Sequence, residues 1–368
     1  MVRPPIKVLL VEDSPIAIAI LKRMLTSSPE IEIVGTARTG TEALALMPQL
    51  QPHVVCTDLN MPQMNGLEFT REVMATFPRP ILVISASVQK EDTENVFQLL
   101  QAGAVDVFPK PTAGLASEYE KARQELVNKV KVLSGVTVFT QHRRQPSTIS
   151  KVATALKRIP TEVKTQKINT ETYPRKFTPP AKVLAIGAST GGPQALHNII
   201  THLPSSFPVP IICVQHISEG FLQGLVDWLN IKSQLTVKIA KEAEFPIAGN
   251  IYFAPDKYHL ELDSKGKFVY SATPPVGGHC PSITVTFNSV AKFYGRASVG
   301  VLLTGMGRDG ADGMLAIARA GGLTIAQNEG SCVVFGMPKE AIALGAAHYI
   351  LPINDIAPIL LTKITGKG

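Results

Sequence analysis

Apolar residues in this chain come in short unbroken runs separated by amphipathic stretches, and the alternation repeats. In the first third, the runs at residues 7–11, 31–36, 53–57, 81–85 and 105–108 predict strands. Residues 15–27, 40–48, 66–76 and 91–102 carry helical spacing between them, with a last helix at 116–131. Strands that are apolar on both sides must be buried on both faces, so five β–α repeats predict a parallel, flavodoxin-like (βα)5 sheet covered by helices. The alternation resumes at Lys182, with strands at 183–187, 209–215, 298–303 and 323–326 and helices starting near Gly192, Gly220, Ser282 and Asp309. This predicts a second, doubly wound and mainly parallel α/β unit. Between Thr236 and Ser271 the runs shorten to 237–240, 250–254, 259–262 and 268–270, with Lys265–Gly266 as a turn. That stretch predicts a small antiparallel extension or edge.

Residues 134–180 break the pattern. Ser, Thr, Pro, Lys and Arg dominate, with room for one short helix near 152–158. The chain therefore divides into a first domain at 1–133, a basic flexible linker at 134–180 and a second domain at 181–368. The linker changes the meaning of the net charge of +7. It holds nine Lys/Arg and two Glu, which together give +7, so the rest of the chain sums to zero. A basic face on a folded domain is missing, and no nucleic-acid partner is expected. The longest apolar runs are far too short to span a bilayer, and residues 1–6 carry no signal-peptide run. No transmembrane segment and a cytoplasmic location are expected. Cys56, Cys213, Cys280 and Cys332 are scattered, with no CxxC, which points to neither a disulfide framework nor a zinc site.

Polar residues at the ends of the apolar runs carry the chemistry. Open parallel sheets bind ligands beyond the carboxyl ends of their strands. Glu12 and Asp13 end the first strand, Asp58 the third and Ser85 the fourth, while Lys110 follows the fifth. Carboxylates gathered there repel one another unless a cation joins them, and an all-oxygen donor set suits Mg²⁺. Such a site suits phosphoryl transfer to a carboxylate nucleophile, with Lys110 balancing charge and Ser85 hydrogen-bonding a phosphoryl oxygen. Taken singly, Asp13 is equally a helix cap, Asp58 a turn cap and Lys110 a solvated loop residue.

The second domain repeats the logic with different groups. Gly187-Ala188-Ser189-Thr190-Gly191-Gly192 lies between a strand and a helix, a tight turn that presents a hydroxyl beside a helix N-terminus. It lacks both the GxGxxG spacing and the lysine of a phosphate loop. His216 ends the run IICVQ, and Asp309 follows VLLTGMGR. At one sheet edge, Ser189, His216 and Asp309 suit nucleophilic acyl transfer: histidine takes the serine proton and aspartate orients the ring. Taken singly, Ser189 and Asp309 are helix caps and His216 a satisfied histidine. His259 and His279 follow turns and can line the cleft, with a structural role expected for both. The order Ser, His, Asp departs from that of α/β-hydrolases.

The segments VLLVEDSP, TDLNMPQMNGLEF, ILVISAS and AVDVFPKP resemble the receiver domain of two-component response regulators. That resemblance implies Asp58 as phosphoacceptor, Mg²⁺ held by Glu12, Asp13, Asp58 and the backbone carbonyl of Asn60, and Ser85 and Lys110 as readers of the phosphorylated state. The switch position, often aromatic, is Val107 here. The segments IGASTGGPQAL, VQHIS, GNIYFAP, HCPSI, LLTGMGRDGADGM and QNEGSCVVFGMPKEAI resemble the catalytic domain of chemotaxis methylesterases. The whole is similar to protein-glutamate methylesterases of the CheB type. This implies Ser189 as nucleophile, His216 as general base and acid, Asp309 as orienting carboxylate, and backbone N–H groups of Thr190 and Met306 as oxyanion donors. It implies hydrolysis of glutamate methyl esters on methyl-accepting chemoreceptors, with glutamine deamidation as a companion activity, and a CheA-type histidine kinase as phosphodonor. The esterase step needs no cofactor. Around the histidine of HCPSI, arginine positions of relatives read Gly278 and Cys280, and an acidic one reads Thr284. Two rival classes are a non-enzymatic signalling adaptor and a DNA-binding regulator; intact Ser, His and Asp weigh against the first and the lack of a helix-turn-helix against the second.

Overall fold

A computed structural model of the chain describes residues 4–85, 90–111, 116–138 and 180–365. The first domain alternates β1 (Ile6–Val11), α1 (Pro15–Thr26), β2 (Ile31–Ala37), α2 (Gly40–Leu50), β3 (Val54–Asp58), α3 (Gly66–Thr76), β4 (Ile81–Ser85), α4 (Lys90–Gln101), β5 (Asp106–Pro109) and α5 (Ala116–Leu133). All five strands are parallel, in the order β2-β1-β3-β4-β5. This is the flavodoxin-like arrangement the alternation predicts. Apolar strands explain it: β3 and β4 are buried at every residue, so helices must cover both faces. Local signals place the helices. Ser14, Thr39 and Asn65 cap α1, α2 and α3, the last with a reciprocal capping box to Glu68.

The second domain holds β6 (Val183–Ala188), α6 (Gly192–Ile200), β7 (Ile211–Gln215), α7 (Leu222–Lys232), β8 (Thr236–Ile239), β9 (Asn250–Phe253), β10 (His259–Leu262), β11 (Phe268–Ser271), α8 (Ile283–Tyr294), β12 (Ser298–Leu302), α9 (Ala311–Arg319), β13 (Leu323–Gln327), α10 (Met337–Ala343), β14 (Tyr349–Leu351) and α11 (Ile353–Thr365). Seven strands run β14-β13-β12-β6-β7-β9-β8, all parallel. The antiparallel extension shrinks to one ribbon, β10 with β11, closed at Lys265–Gly266. β8 and β9 are not part of it. They pair in parallel with each other and extend the main sheet, because their buried faces continue the surface of β7. β14, α10 and α11 complete the other edge. The short helix near 152–158 and most of the linker fall outside the described residues. Among the described residues no helix is long and apolar enough to cross a membrane.

Strand order reverses about β6: β7 lies on one side and β12 on the other. A crevice therefore opens beyond the carboxyl ends of β6, β7 and β12, which are the ends that carry Ser189, His216 and Asp309.

Candidate active site and receiver site

Ser189 follows β6 directly, and its carbonyl and amide are both held. Its N–H donates to the Thr304 carbonyl (3.0 Å), and its carbonyl accepts from Gly192 N–H (2.7 Å) and Gln215 Nε2 (2.8 Å). Gly191 takes a left-handed φ of 77°, which turns the chain into α6 and leaves room for Val333, whose side chain would collide with any Cβ there. β6–β7 register sets His216 beside the serine: Ala188 pairs with Gln215, and His216 N–H donates to the Ala188 carbonyl (2.9 Å). Neighbouring strands lie about 4.8 Å apart. His216 Nε2 meets Asp309 Oδ2 at 2.9 Å, and both side chains are largely shielded from solvent, with 10% and 3% exposed. A carboxylate accepts, so that pairing places the ring proton on Nε2. His216 Nδ1 is buried with no described partner, and no hydrogen bond yet joins it to Ser189.

Asp309 does not cap its own helix; Gly310 stands at that position. It caps α8 instead. Its Oδ1 accepts from Ser282 Oγ (2.8 Å) and Thr284 N–H (3.0 Å), and its Oδ2 from Ile283 N–H (2.8 Å). Burial alone would raise its pKa, but the bonds from His216 and from the start of α8 outweigh this and hold the carboxyl well below its usual range. The group stays ionised and fixed. Thr190 and Met306 N–H donate to no described acceptor, so both are free for a ligand oxygen. Gln215 is a functional support the sequence reading missed. A lone buried polar residue closing an apolar strand was its signal.

In the first domain, Glu12, Asp13 and Asp58 bring donor oxygens within 4.8 Å of one another. Glu12 and Asp58 are buried and Asp13 is exposed. Lys110 Nζ donates to Asp58 Oδ2 (2.7 Å) and lies 2.9 Å from Glu12 Oε2. Desolvation pushes both buried carboxyls up despite the lysine. Burial opposes the ammonium, yet its bonds to Asp58 and Glu12 leave the Lys110 pKa raised. Three carboxylates against one lysine leave a double negative charge on hard oxygen donors, which fits a divalent cation such as Mg²⁺. Ser85 lies at the neighbouring strand end, and its carbonyl accepts from Lys110 N–H (2.8 Å). Asp13 is not a helix cap, since Ser14 caps α1.

The two domains touch beside the serine loop. Thr190 Oγ1 donates to Asp106 Oδ2 (3.3 Å) at the start of β5, and Ser218 Oγ donates to Glu125 Oε1 (3.0 Å) on α5. Gln194 Nε2 donates to the carbonyls of Leu100 (3.0 Å) and Ala104 (2.7 Å) at the end of α4. Phe97 stacks on Trp228 with centroids 5.3 Å apart. Phe97, Leu100 and Val107 share one buried cluster with Leu196, Leu225 and Trp228. The α4–β5–α5 face of the first domain thus covers the loop that carries Ser189.

Comparison with known proteins gives matches to two families. Residues 8–116 match the response regulator receiver domain and residues 184–360 the CheB methylesterase family. The chain is 38% identical over 367 residues to a protein-glutamate methylesterase/protein-glutamine glutaminase of Nitrosospira multiformis, covering 99% of this chain and 98% of that one. It is 40% identical over 362 residues to one from Syntrophus aciditrophicus, covering 98% and 99%. The crystal structure of the Thermotoga maritima CheB methylesterase catalytic domain shares 40% identity, covers 49% of this chain and 97% of its own, and has a TM-score of 0.48.

Proposed function

The chain belongs to the protein-glutamate methylesterase family of chemotaxis response regulators, and on that premise we propose how its residues divide the work. It is an esterase that removes methyl groups from protein glutamates, and its relatives' second activity, deamidation of protein glutamine, is assigned to the same site. The observation that carries the residue assignment is the buried His216–Asp309 bond at the end of the strand next to Ser189.

Ser189 Oγ attacks the ester carbonyl while its proton passes to His216 Nδ1, the ring atom left without a partner. Asp309 keeps the other proton on Nε2 and balances the imidazolium that forms. The tetrahedral oxyanion takes the free N–H groups of Thr190 and Met306; losing one such donor typically costs about 3 kcal/mol. His216 then returns the proton to the departing methoxide, and methanol leaves. Water, deprotonated by the same nitrogen, attacks the acyl-serine; as the acyl–Oγ bond breaks, His216 returns that proton to Ser189 Oγ and the glutamate is freed. Substrates on this reading are methylated cytoplasmic helices of chemoreceptors.

Glu12, Asp13, Asp58 and the Asn60 carbonyl would hold Mg²⁺, which when bound supplies positive charge against an incoming phosphoryl group. Asp58 accepts that group from a CheA-type kinase, Lys110 pairs with it and Ser85 hydrogen-bonds it. Strand β5 joins this event to the esterase, since Lys110 follows it at one end and Asp106 opens it at the other. Phosphorylation at Asp58 draws Lys110 to the phosphoryl group, loosens the α4–β5–α5 face and uncovers Ser189.

Methanol release from methylated receptor membranes, driven by full chain with acetyl phosphate and Mg²⁺, tests the core of this. Ser189→Ala should lower the rate at least about a thousandfold. A variant that still releases methanol at wild-type rate removes Ser189 from the mechanism.

A further inference from the structure

Residues 276–284 wrap the general base from two sides. Val276 and His279 exchange both backbone hydrogen bonds (3.1 Å each) across Gly277 and Gly278, which hold φ of 60° and 86°. Two successive positive φ values define the tight turn of a two-residue hairpin and leave it little freedom. The turn delivers the His279 ring face to face onto His216, with centroids 3.9 Å apart and planes within 4°. Three to five residues on, the same segment supplies Ser282, Ile283 and Thr284 to the Asp309 carboxylate. One continuous stretch therefore fixes the ring plane of His216 and the partner of its Nε2.

We propose that His279 is a positioning residue for the esterase: its flat ring holds the His216 imidazole in the plane that aims Nδ1 at Ser189, and it presents an uncharged π-face to the imidazolium formed in each tetrahedral step. This rests on the assignment of His216 as general base. A ring stacked at this distance stabilises a cation only while it is itself neutral. Burial, and then the neighbouring His216, push the His279 pKa down to about 4, with Asp309 opposing, so His279 is neutral at the pH of catalysis. Cys280, the adjoining thiol, is pushed up by burial and adds no charge. The requirement is for a flat aromatic face, not for a nitrogen.

Three variants of the full chain, His279→Phe, His279→Leu and His279→Ala, separate these demands. Each is assayed for methanol release with acetyl phosphate and Mg²⁺. The Nε2–H proton shared by His216 and Asp309 is followed by NMR. We expect Leu and Ala to lower kcat roughly tenfold with KM little changed, and to speed solvent exchange of that proton. Phe should restore both. Leu fills the volume, so it answers the question if Ala fails to fold. Wild-type kcat in Leu, or a loss in Phe equal to that in Leu, overturns the proposal. Ser189→Ala and His216→Gln run alongside. Activity in either sinks the underlying triad; inactivity in both, with unchanged His279 variants, sinks this inference alone.

Discussion

At the scale of single residues, the serine loop leaves almost no slack. Gly305 faces Ser189 so closely that an added Cβ would lie 2.6 Å from the serine Cβ and 2.7 Å from the end of Met337. The methionine can swing away, but Ser189 is tied through its N–H and carbonyl and must shift as a unit. Gly305→Ala should therefore cut kcat by roughly a hundredfold while Tm moves by only a few degrees; an unchanged kcat would show that the loop tolerates displacement. His279 carries a second consequence, in stability. Its folded pKa of about 4 lies below the ordinary 6.5. Between those values the unfolded chain binds a proton that the folded chain does not, so stability falls as pH drops below 6.5 and levels off near 4. The bound on this is about 3 kcal/mol, reduced by solvent screening. Acidifying from about pH 7 to 5 should lower the Tm of His279→Phe less than that of wild type, and equal falls would place the acid loss elsewhere.

At the scale of elements, strand ends were legible in the sequence because polar groups interrupt the apolar runs there: Glu12, Asp58, His216. Sheet membership was less so. β8 and β9 read as part of an antiparallel extension or edge because their apolar runs are short and only ten residues separate Ile239 from Asn250; they lie parallel and extend the main sheet beyond β7. β14 has three residues, too few for any period. The His279–His216 stack joins positions 63 apart through a Gly-Pro-rich turn with no hydrophobic pattern, so only the packed chain displays it. β5 is the element with most to test. Asp106 Oδ2 accepts from Thr190 and from Lys129 (2.7 Å), tying the strand to the serine loop and to α5. Asp106→Ala removes the tie, and the esterase rate without phosphodonor should rise about threefold to tenfold, with the phosphorylated rate unchanged. A flat basal rate would show that the bond to Thr190 restrains nothing.

At the scale of the whole molecule, the two domains meet through a shared apolar cluster and a few hydrogen bonds, which is the composition of an interface built to open. Trp228, the single tryptophan of the chain, sits at its centre, 3% exposed between Phe97 of the receiver (5.3 Å, 16°) and His197 of its own domain (4.9 Å, 21°). Its emission reports the state of the interface. If phosphorylation at Asp58 separates the faces, acetyl phosphate with Mg²⁺ should shift that emission to longer wavelength as water reaches the indole, in step with the rise in methanol release. Asp58→Asn should show neither change. Phe97→Ala removes the receiver's half of the stack, at a cost to docking on the order of 2 kcal/mol, about thirtyfold in the closed-to-open ratio. Its emission should already be shifted, and its basal esterase rate raised, before any phosphodonor is added. Esterase activation with Trp228 emission unmoved would mean that the domains stay docked and that the signal reaches Ser189 through the intact interface, by way of β5 and Thr190.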